Sequence, residues 1–240
     1  MKYLNEVWAV IPARSGSKGL KNKNIKKFKN KPLFSHSVRS AINSNQIDKV
    51  IFSSDSKKYI SLAKRYKCEF YHLRSKKNSR DISTDIEVFK EIVKFFKNRK
   101  IYLPEYFVHF RPTSPIRKNR TLDKAIKFFK KNSHSYSSLK SVSFNSHNSL
   151  KDYIIKKNRL CSISEKNGFN IDKVNVPRDK LKKTFIGNGV IDIYKTKNIL
   201  KGKLLGNKVY PFVTEDFFCD IDSKKDFKLA EIIAKKLNGK

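Results

Sequence analysis

Val7 to Ile11 is an apolar run rich in β-branched residues, set between Glu6 and Pro12, and it predicts a buried central strand whose ladder Pro12 ends. Pro32 opens a helical pattern with Phe34, Val38, Ala41 and Ile42 on one face. Strands are predicted at Lys49 to Ser53, Glu69 to Leu73 and Tyr106 to Phe110. Between and after them come helices through Ala63, through Phe89, Ile92, Val93 and Phe96, and through Leu122, Ala125, Ile126 and Phe129. Such alternation predicts an α/β fold with a doubly wound, mostly parallel sheet. In these sheets ligands bind beyond the carboxyl ends of the strands.

The rhythm weakens from about 144 to 185, where short segments at Tyr153 to Ile155 and Cys161 to Ile163 are separated by Lys-Asn and Asn-Gly turn pairs. One domain over 1–240 is expected, with an inserted hairpin-rich subdomain at 144–185. Thr184 to Tyr194 reads as an Asn-Gly turn followed by a strand. Near the end, Ser223 with Asp226 forms a capping-box pattern before a helix whose inner face carries Phe227, Ala230, Ala234 and Leu237.

Charge complicates this picture. Among 240 residues, 55 Lys and Arg face 21 Asp and Glu, a net charge of +34 that raises nucleic acid or an anionic membrane as a partner. The basic residues are mostly Lys and run the whole length, beside abundant Asn, Ile, Phe and Ser, as an AT-rich coding sequence would give. No zinc-ligand spacing, RNP1 aromatic pattern or leucine heptad accompanies them, so nucleic acid is the secondary alternative. Three cysteines at unrelated spacings argue against a disulfide framework and a zinc site. No stretch approaches the roughly 18 apolar residues of a membrane span, and the start lacks a signal-peptide core; a cytoplasmic protein without a membrane partner is expected.

The candidate chemistry begins after the first strand. Gly16 and Gly19 allow unusual backbone angles, and Arg14, Lys18, Lys21 and Lys23 add positive charge, so the loop can wrap a polyphosphate or be a solvated turn. It matches neither Gly-x-x-x-x-Gly-Lys-Ser/Thr nor Gly-x-Gly-x-x-Gly. Asp55, at the end of the second strand, is expected to be a helix N-cap. Arg74 and Asp81 lie in a polar segment, 74–84, long enough to be a working loop. Arg111-Pro-Thr-Ser-Pro-Ile-Arg117 is a stiff strand-to-helix connection lined by hydroxyls. Asp220 and Asp222, two apart in what reads as an extended strand end, face the same way and can converge on one cation.

Ile-Pro-Ala-Arg-x-Gly-Ser-Lys-Gly followed by Lys-Asn resembles the signature of the CMP-sugar synthetases, the acylneuraminate cytidylyltransferases. Arg-Pro-Thr-Ser-Pro-Ile-Arg resembles that family's Gln-Pro-Thr-Ser-Pro-Leu-Arg, and the Asn188 segment its Asn-Gly-Ala-Ile-Tyr-Ile. The resemblance implies a Rossmann-like nucleotidyltransferase that joins CMP from CTP to a nonulosonic, sialic acid-like 2-keto sugar and releases pyrophosphate. It assigns CTP binding to Arg14, Ser17, Lys18, Lys23, Asn24, Arg74 and Asp81, with Arg14, Lys18 and Asp222 catalytic. Sugar binding falls to Arg111, Lys151, Arg178 and Asn188, and Mg2+ to Asp220 and Asp222.

The insertion then implies a homodimer interface. The chain departs from the family pattern in an aliphatic swap at Ile116, in the absence of the usual Pro and Leu between Arg74 and Asp81, and in Arg111 at the expected Gln and Asp192 at the expected Tyr. The last two bear on the sugar. Both changes fall near the presumed sugar pocket, which leaves the identity of the sugar open. No Gly-x-Ser-x-Gly or His-Glu-x-x-His occurs, and the five histidines are scattered, which gives covalent and zinc-hydrolase chemistry little support. The alternatives are a basic nucleic-acid-binding protein without transferase activity and a family member that binds nucleotide without catalysis.

Overall fold

The computed structural model describes residues 3–237. β1 (Leu4–Pro12) leads through the first loop to a small hairpin, β2 (Lys27–Phe28) and β3 (Lys31–Pro32), and then to α1 (Leu33–Ile42). β4 (Lys49–Ser54), α2 (Lys57–Lys64), β5 (Phe70–Leu73), α3 (Asp85–Asn98), β6 (Pro104–His109) and α4 (Asn119–Asn132) continue the alternation. β7 (Ser138–Phe144), the hairpin β8 (Tyr153–Lys156) and β9 (Arg159–Ser162), and the single turn α5 (Ile171–Val174) follow. The chain ends with β10 (Phe185–Lys195), α6 (Thr196–Leu200), β11 (Val209–Val213) and α7 (Lys224–Lys236).

The chain clusters into two compact units. The first comprises 1–141, 188–212 and 216–240; the second comprises 142–187 and 213–215. A seven-stranded sheet runs β11-β7-β10-β6-β1-β4-β5. β1 pairs in parallel with β4 and β6, and β4 with β5, while β10 runs antiparallel to β6, so the sheet is mixed and mostly wound as expected.

Alternation along β1 explains both layers of the core. Val7, Ala9 and Ile11 pack with Phe34, Val38 and Ala41 of α1, Tyr59 and Ala63 of α2, and Leu122, Ala125, Ile126 and Phe129 of α4. Trp8 and Val10 face the other way, against Val88, Phe89, Ile92, Val93 and Phe96 of α3 and Ile199 of α6. Trp8 meets Phe96 edge-on at 4.9 Å between ring centres. Truncating such a buried aromatic costs about 3–5 kcal/mol, and both layers hang on β1.

Several local expectations are corrected. Ile42 and Leu237 are exposed, because Ile42 is the last residue of α1 and Leu237 the C-cap just past α7, beyond the reach of the core. The N-cap of α2 is Ser56, whose hydroxyl accepts from the Tyr59 N–H, rather than Asp55. Asn188-Gly189 is no hairpin turn: the strand runs through it, with Gly189 alone at φ +65°. The segment carrying Asp220 and Asp222 belongs to no strand and makes no ladder. The capping box of α7 is present, Asp226 accepting from the Ser223 N–H at 2.7 Å.

In the second unit, β8 and β9 are joined by Lys157-Asn158, both in the left-handed region at φ 47° and 61°, which matches a type I′ hairpin. Lys29-Asn30 joins β2 to β3 in the same way, at φ 48° and 62°. Phe144 and Phe185 contact edge-on, and the Asn145 N–H donates to the Thr184 carbonyl.

Candidate active site

A cleft of about 400 Å3 opens in the first unit, where the residues following β1, β5 and β6 leave the sheet. Its walls begin with the first loop. The Ala13 N–H still donates to the Ser53 carbonyl, extending the β1 ladder past Pro12. Then Asp55 accepts from both the backbone N–H of Ser15 at 2.7 Å and its hydroxyl at 2.8 Å. Asp55 therefore braces the loop from the end of the neighbouring strand.

The two glycines differ in purpose. Gly16 needs its left-handed φ of +71°. Gly19 does not; a Cβ there would lie 2.4 Å from the Asp222 carbonyl oxygen, so its requirement is close approach of two backbones. The loop closes in a 3-10 turn, Lys23–Ile25, where the Asn24 amide donates to the Arg14 carbonyl at 2.9 Å.

Arg14, Ser17, Lys18, Lys23, Asn24, Arg74, Asp81, Arg111 and Asp222 all line the cleft. Asp81 bridges two of them, lying 2.7 Å from Arg14 Nη1 and 2.8 Å from Lys18 Nζ. Lys18 and Arg14 together hold the Asp81 carboxyl below its ordinary range. Lys23 Nζ lies 2.6 Å from Asp222. Arg74 is buried at 6% exposure, with Nε and Nη2 lacking any hydrogen-bond partner, and burial pulls its guanidinium below the usual range. Asn24 Oδ1 and His109 Nε2 are likewise buried without partners at the cleft lining. A site with so many unsatisfied polar atoms is suited to a polar, anionic ligand.

Arg117 explains the rigidity of the second motif. Its buried fork donates to the carbonyls of Val190, Ser114, Arg111 and Gly189 and to the Ser37 hydroxyl, tying the loop to β10 and α1. Burial pushes its pKa down to about 9. Arg111, at the start of the same loop, reaches Asp85 at 2.8 Å and Asp192 at 3.5 Å. Burial alone would raise the Asp85 carboxyl, but His109 and Arg111 outweigh it and hold the group low.

The other expected sugar ligands are not among the residues lining this cleft. Lys151 and Arg178 belong to the second unit; Lys151 donates to the Val176 carbonyl, and Arg178 lines a small cavity with Phe144, Asn145, Ser146, Asn148 and Lys183. Asn188 is buried, its side-chain oxygen accepting from the Val190 N–H at 3.1 Å. Asp222 lines the cleft, whereas Asp220 does not; both are exposed on either side of the buried Ile221, whose N–H donates to Thr113 at 2.9 Å. Among the described residues no group of three or more His, Cys, Asp or Glu forms a metal cage. Mg2+ characteristically needs only one or two carboxylates beside phosphate oxygens, and Asp222, with its side chain three-quarters exposed, fits that role.

Sequence reasoning missed Asp85 and His109, and the bracing role of Asp55. One signal was available for Asp85: Thr84-x-x-Glu87 is a capping box, Glu87 accepting from the Thr84 N–H at 2.7 Å, and it fixes Asp85 at the first turn of α3.

The chain is 30% identical over 235 residues to an N-acylneuraminate cytidylyltransferase of Escherichia coli O18:K1:H7, a match covering 97% of this chain and 53% of that protein. It is 31% identical over 137 residues to a CMP-N,N'-diacetyllegionaminic acid synthase of Legionella pneumophila, covering 57% of this chain and 59% of the other. The chain thus spans about half the length of the first relative. In fold it is similar to a CMP:2-keto-3-deoxy-manno-octonic acid synthetase solved with CTP, with a TM-score of 0.70, 12% identity and coverage of 96% and 99% of the two chains. No helix among the described residues is long and apolar enough to cross a membrane. The pattern of the family described as Cytidylyltransferase matches residues 8–217, and the chain belongs to that family.

Proposed function

We propose that this protein transfers CMP from CTP to a nonulosonic, sialic acid-like sugar acid, giving a CMP-sugar and pyrophosphate for surface glycan synthesis. The observation that carries this reading is the shared cleft: Arg14, Ser17, Lys18, Lys23 and Asn24 of the first loop line it together with Arg74, Arg111 and Asp222. The relatives' names supply the acceptor class, with sialic, legionaminic and pseudaminic acids among them.

In the reaction the anomeric hydroxyl oxygen of the sugar forms a bond to the α-phosphorus as the bond to the β-phosphate oxygen breaks. The hydroxyl proton leaves to solvent or a phosphate oxygen, and no protein nucleophile is needed. Arg14 and Lys18 stabilise the charge that builds on the departing pyrophosphate. The orphaned Arg74 nitrogens and Asn24 Oδ1 are donor and acceptor atoms ready for the nucleotide. Asp222 would hold Mg2+ there, and the ion would supply charge neutralisation on the phosphates.

The reading includes a homodimer built on the second unit, supported by the exposed side chains of Ile155, Leu160 and Ile163. It also includes a cytoplasmic setting, supported by three free thiols. Pyrophosphate release from CTP and Mg2+ tests the activity, using N-acetylneuraminate, legionaminate, pseudaminate and the eight-carbon acid Kdo. Turnover with one acceptor supports the proposal. No release with any acceptor, in folded protein, overturns it.

A further inference from the structure

Arg111 is one of four charged side chains in a cluster to which the reaction described above gives no separate role. Its Nη2 lies 2.8 Å from Asp85 Oδ2 and 3.5 Å from Asp192 Oδ2. Lys140 Nζ reaches the same Asp192 oxygen at 3.5 Å. Asp192 stands opposite His109 in the β10–β6 register and is 2% exposed, with Oδ1 unpartnered. His109 Nδ1 is 3.3 Å from the Tyr194 hydroxyl, which itself lies 3.3 Å from Asp192. A carboxylate buried this deeply is unfavourable unless it is paired, and the Arg111 guanidinium on the cleft wall is one of its two cationic partners. Side by side, Arg111 and Lys140 balance Asp85 and Asp192.

That balance distinguishes Arg111 from the first-loop cations. Arg14 and Lys18 share a single carboxylate, Asp81, so net positive charge remains there for an anion. In the direct ion pairs around Arg111 two cations meet two carboxylates, so Arg111 itself offers directed N–H donors with little net charge, whereas the neighbouring Arg74 and Arg117 are not part of these pairs. We propose that Asp85 and Asp192 are positioning residues that hold the Arg111 fork against a neutral oxygen of the acceptor, a hydroxyl or an acylamido carbonyl. This rests on the transferase reading and assigns part of its acceptor specificity.

The experiment uses the full chain with Asp192→Asn, Asp85→Asn, Arg111→Gln and the Arg111→Gln/Asp192→Asn double variant. Each single substitution is expected to raise the acceptor KM about tenfold while leaving the CTP KM unchanged, and the double variant should be no worse than Arg111→Gln alone. Multiplying effects, or a change in melting temperature without a change in acceptor KM, overturn the proposal. The acceptor KM of Arg111→Gln should keep the wild-type salt dependence; a flattened dependence shows that Arg111 binds the acceptor's carboxylate and overturns the neutral-oxygen assignment. Nitrogen-15 spectra of the arginine side chains decide positioning without turnover. Restricted Arg111 Nη resonances in the wild type, averaged in either Asp variant, support it, and unchanged resonances overturn it. Asp85→Asn is the second variant should Asp192→Asn fail to fold, since the Asp85 side chain is 40% exposed. Absence of turnover with every acceptor would sink the transferase reading, and the spectra would still decide the positioning role.

Discussion

The Lys23 ammonium lies 2.6 Å from the Asp222 carboxylate, joining two positions 199 residues apart in sequence. The pair is asymmetric: the Lys23 side chain is 10% exposed and that of Asp222 is 76% exposed. Lys23 is held by the 3-10 turn that closes the first loop, and Asp222 is held by the Ile221 N–H bond to Thr113. The loop and the carboxylate segment are thereby fastened across the cleft mouth, with Gly19 permitting the close approach.

Asp222→Asn is expected to lower turnover by about 10²–10³-fold, because it removes the carboxylate suited to a phosphate-bound cation. It should destabilise the fold by about 1–3 kcal/mol, since the Lys23 ammonium, only 10% exposed, loses its carboxylate partner. Single-turnover CMP transfer beside a thermal melt checks both halves. Transfer within a few-fold of wild type would remove Asp222 from the chemistry.

Asp81 occupies the two cations that the nucleotide reading assigns to phosphate. A carboxylate 2.7 Å from Arg14 and 2.8 Å from Lys18 competes with an incoming polyphosphate for the same charges. Asp81→Asn is therefore expected to tighten binding of inorganic tripolyphosphate about three- to tenfold at low salt, with the gain shrinking as salt rises. Calorimetric titration at two ionic strengths measures it. Weaker binding in the variant would mean that Asp81 orients the cations and does not compete for them.

What was legible in the sequence was whatever is local. The β-branched run of β1 and the helical spacing of Phe89, Ile92, Val93 and Phe96 reflect contacts that periodicity records directly, and all of these residues are buried. The pairing of Arg111 with Asp192 was not legible: these two departures from the family looked like separate changes, and only the antiparallel β10–β6 register brings them together. Asp55 is similar, since its bond to Ser15 depends on the parallel pairing of β1 with β4. Capping one's own helix and bracing a neighbouring loop use the same carboxylate at the same strand end, and sequence alone favours the local choice.

Two buried histidines set the acid limit of stability. Burial lowers His72 and His109 to about 4, with Glu91 opposing the shift in the first case and Asp85 in the second. An unfolded chain protonates its histidines near 6.5. Between these values the unfolded state binds more protons, so stability rises with pH. Each histidine's contribution is fully present above about 6.5 and is lost as pH falls toward 4, on the order of 1–3 kcal/mol apiece. Urea denaturation at pH 7, 5.5 and 4.5, values spanning this window, should show that decline. His72→Gln should flatten its share, and a slope unchanged by the substitution would assign the decline to the carboxylates.

Arg74 poses function against stability at one position. Its guanidinium is buried beside the cleft with Nε and Nη2 unpaired, and the nearby charges of Asp55, Glu91 and Asp85 only partly offset its desolvation. Leaving such donors unsatisfied costs about 1–3 kcal/mol in the ligand-free protein. Replacement by methionine, which keeps the length of the stem and discards the charge, is therefore expected to raise the melting temperature of the free protein. The same change removes donors aimed at the nucleotide, so CTP should no longer produce a thermal shift. Melting curves with and without CTP separate the two effects. Stabilisation with the CTP shift lost would make Arg74 a ligand residue that carries strain, and destabilisation with the shift retained would make it a structural arginine.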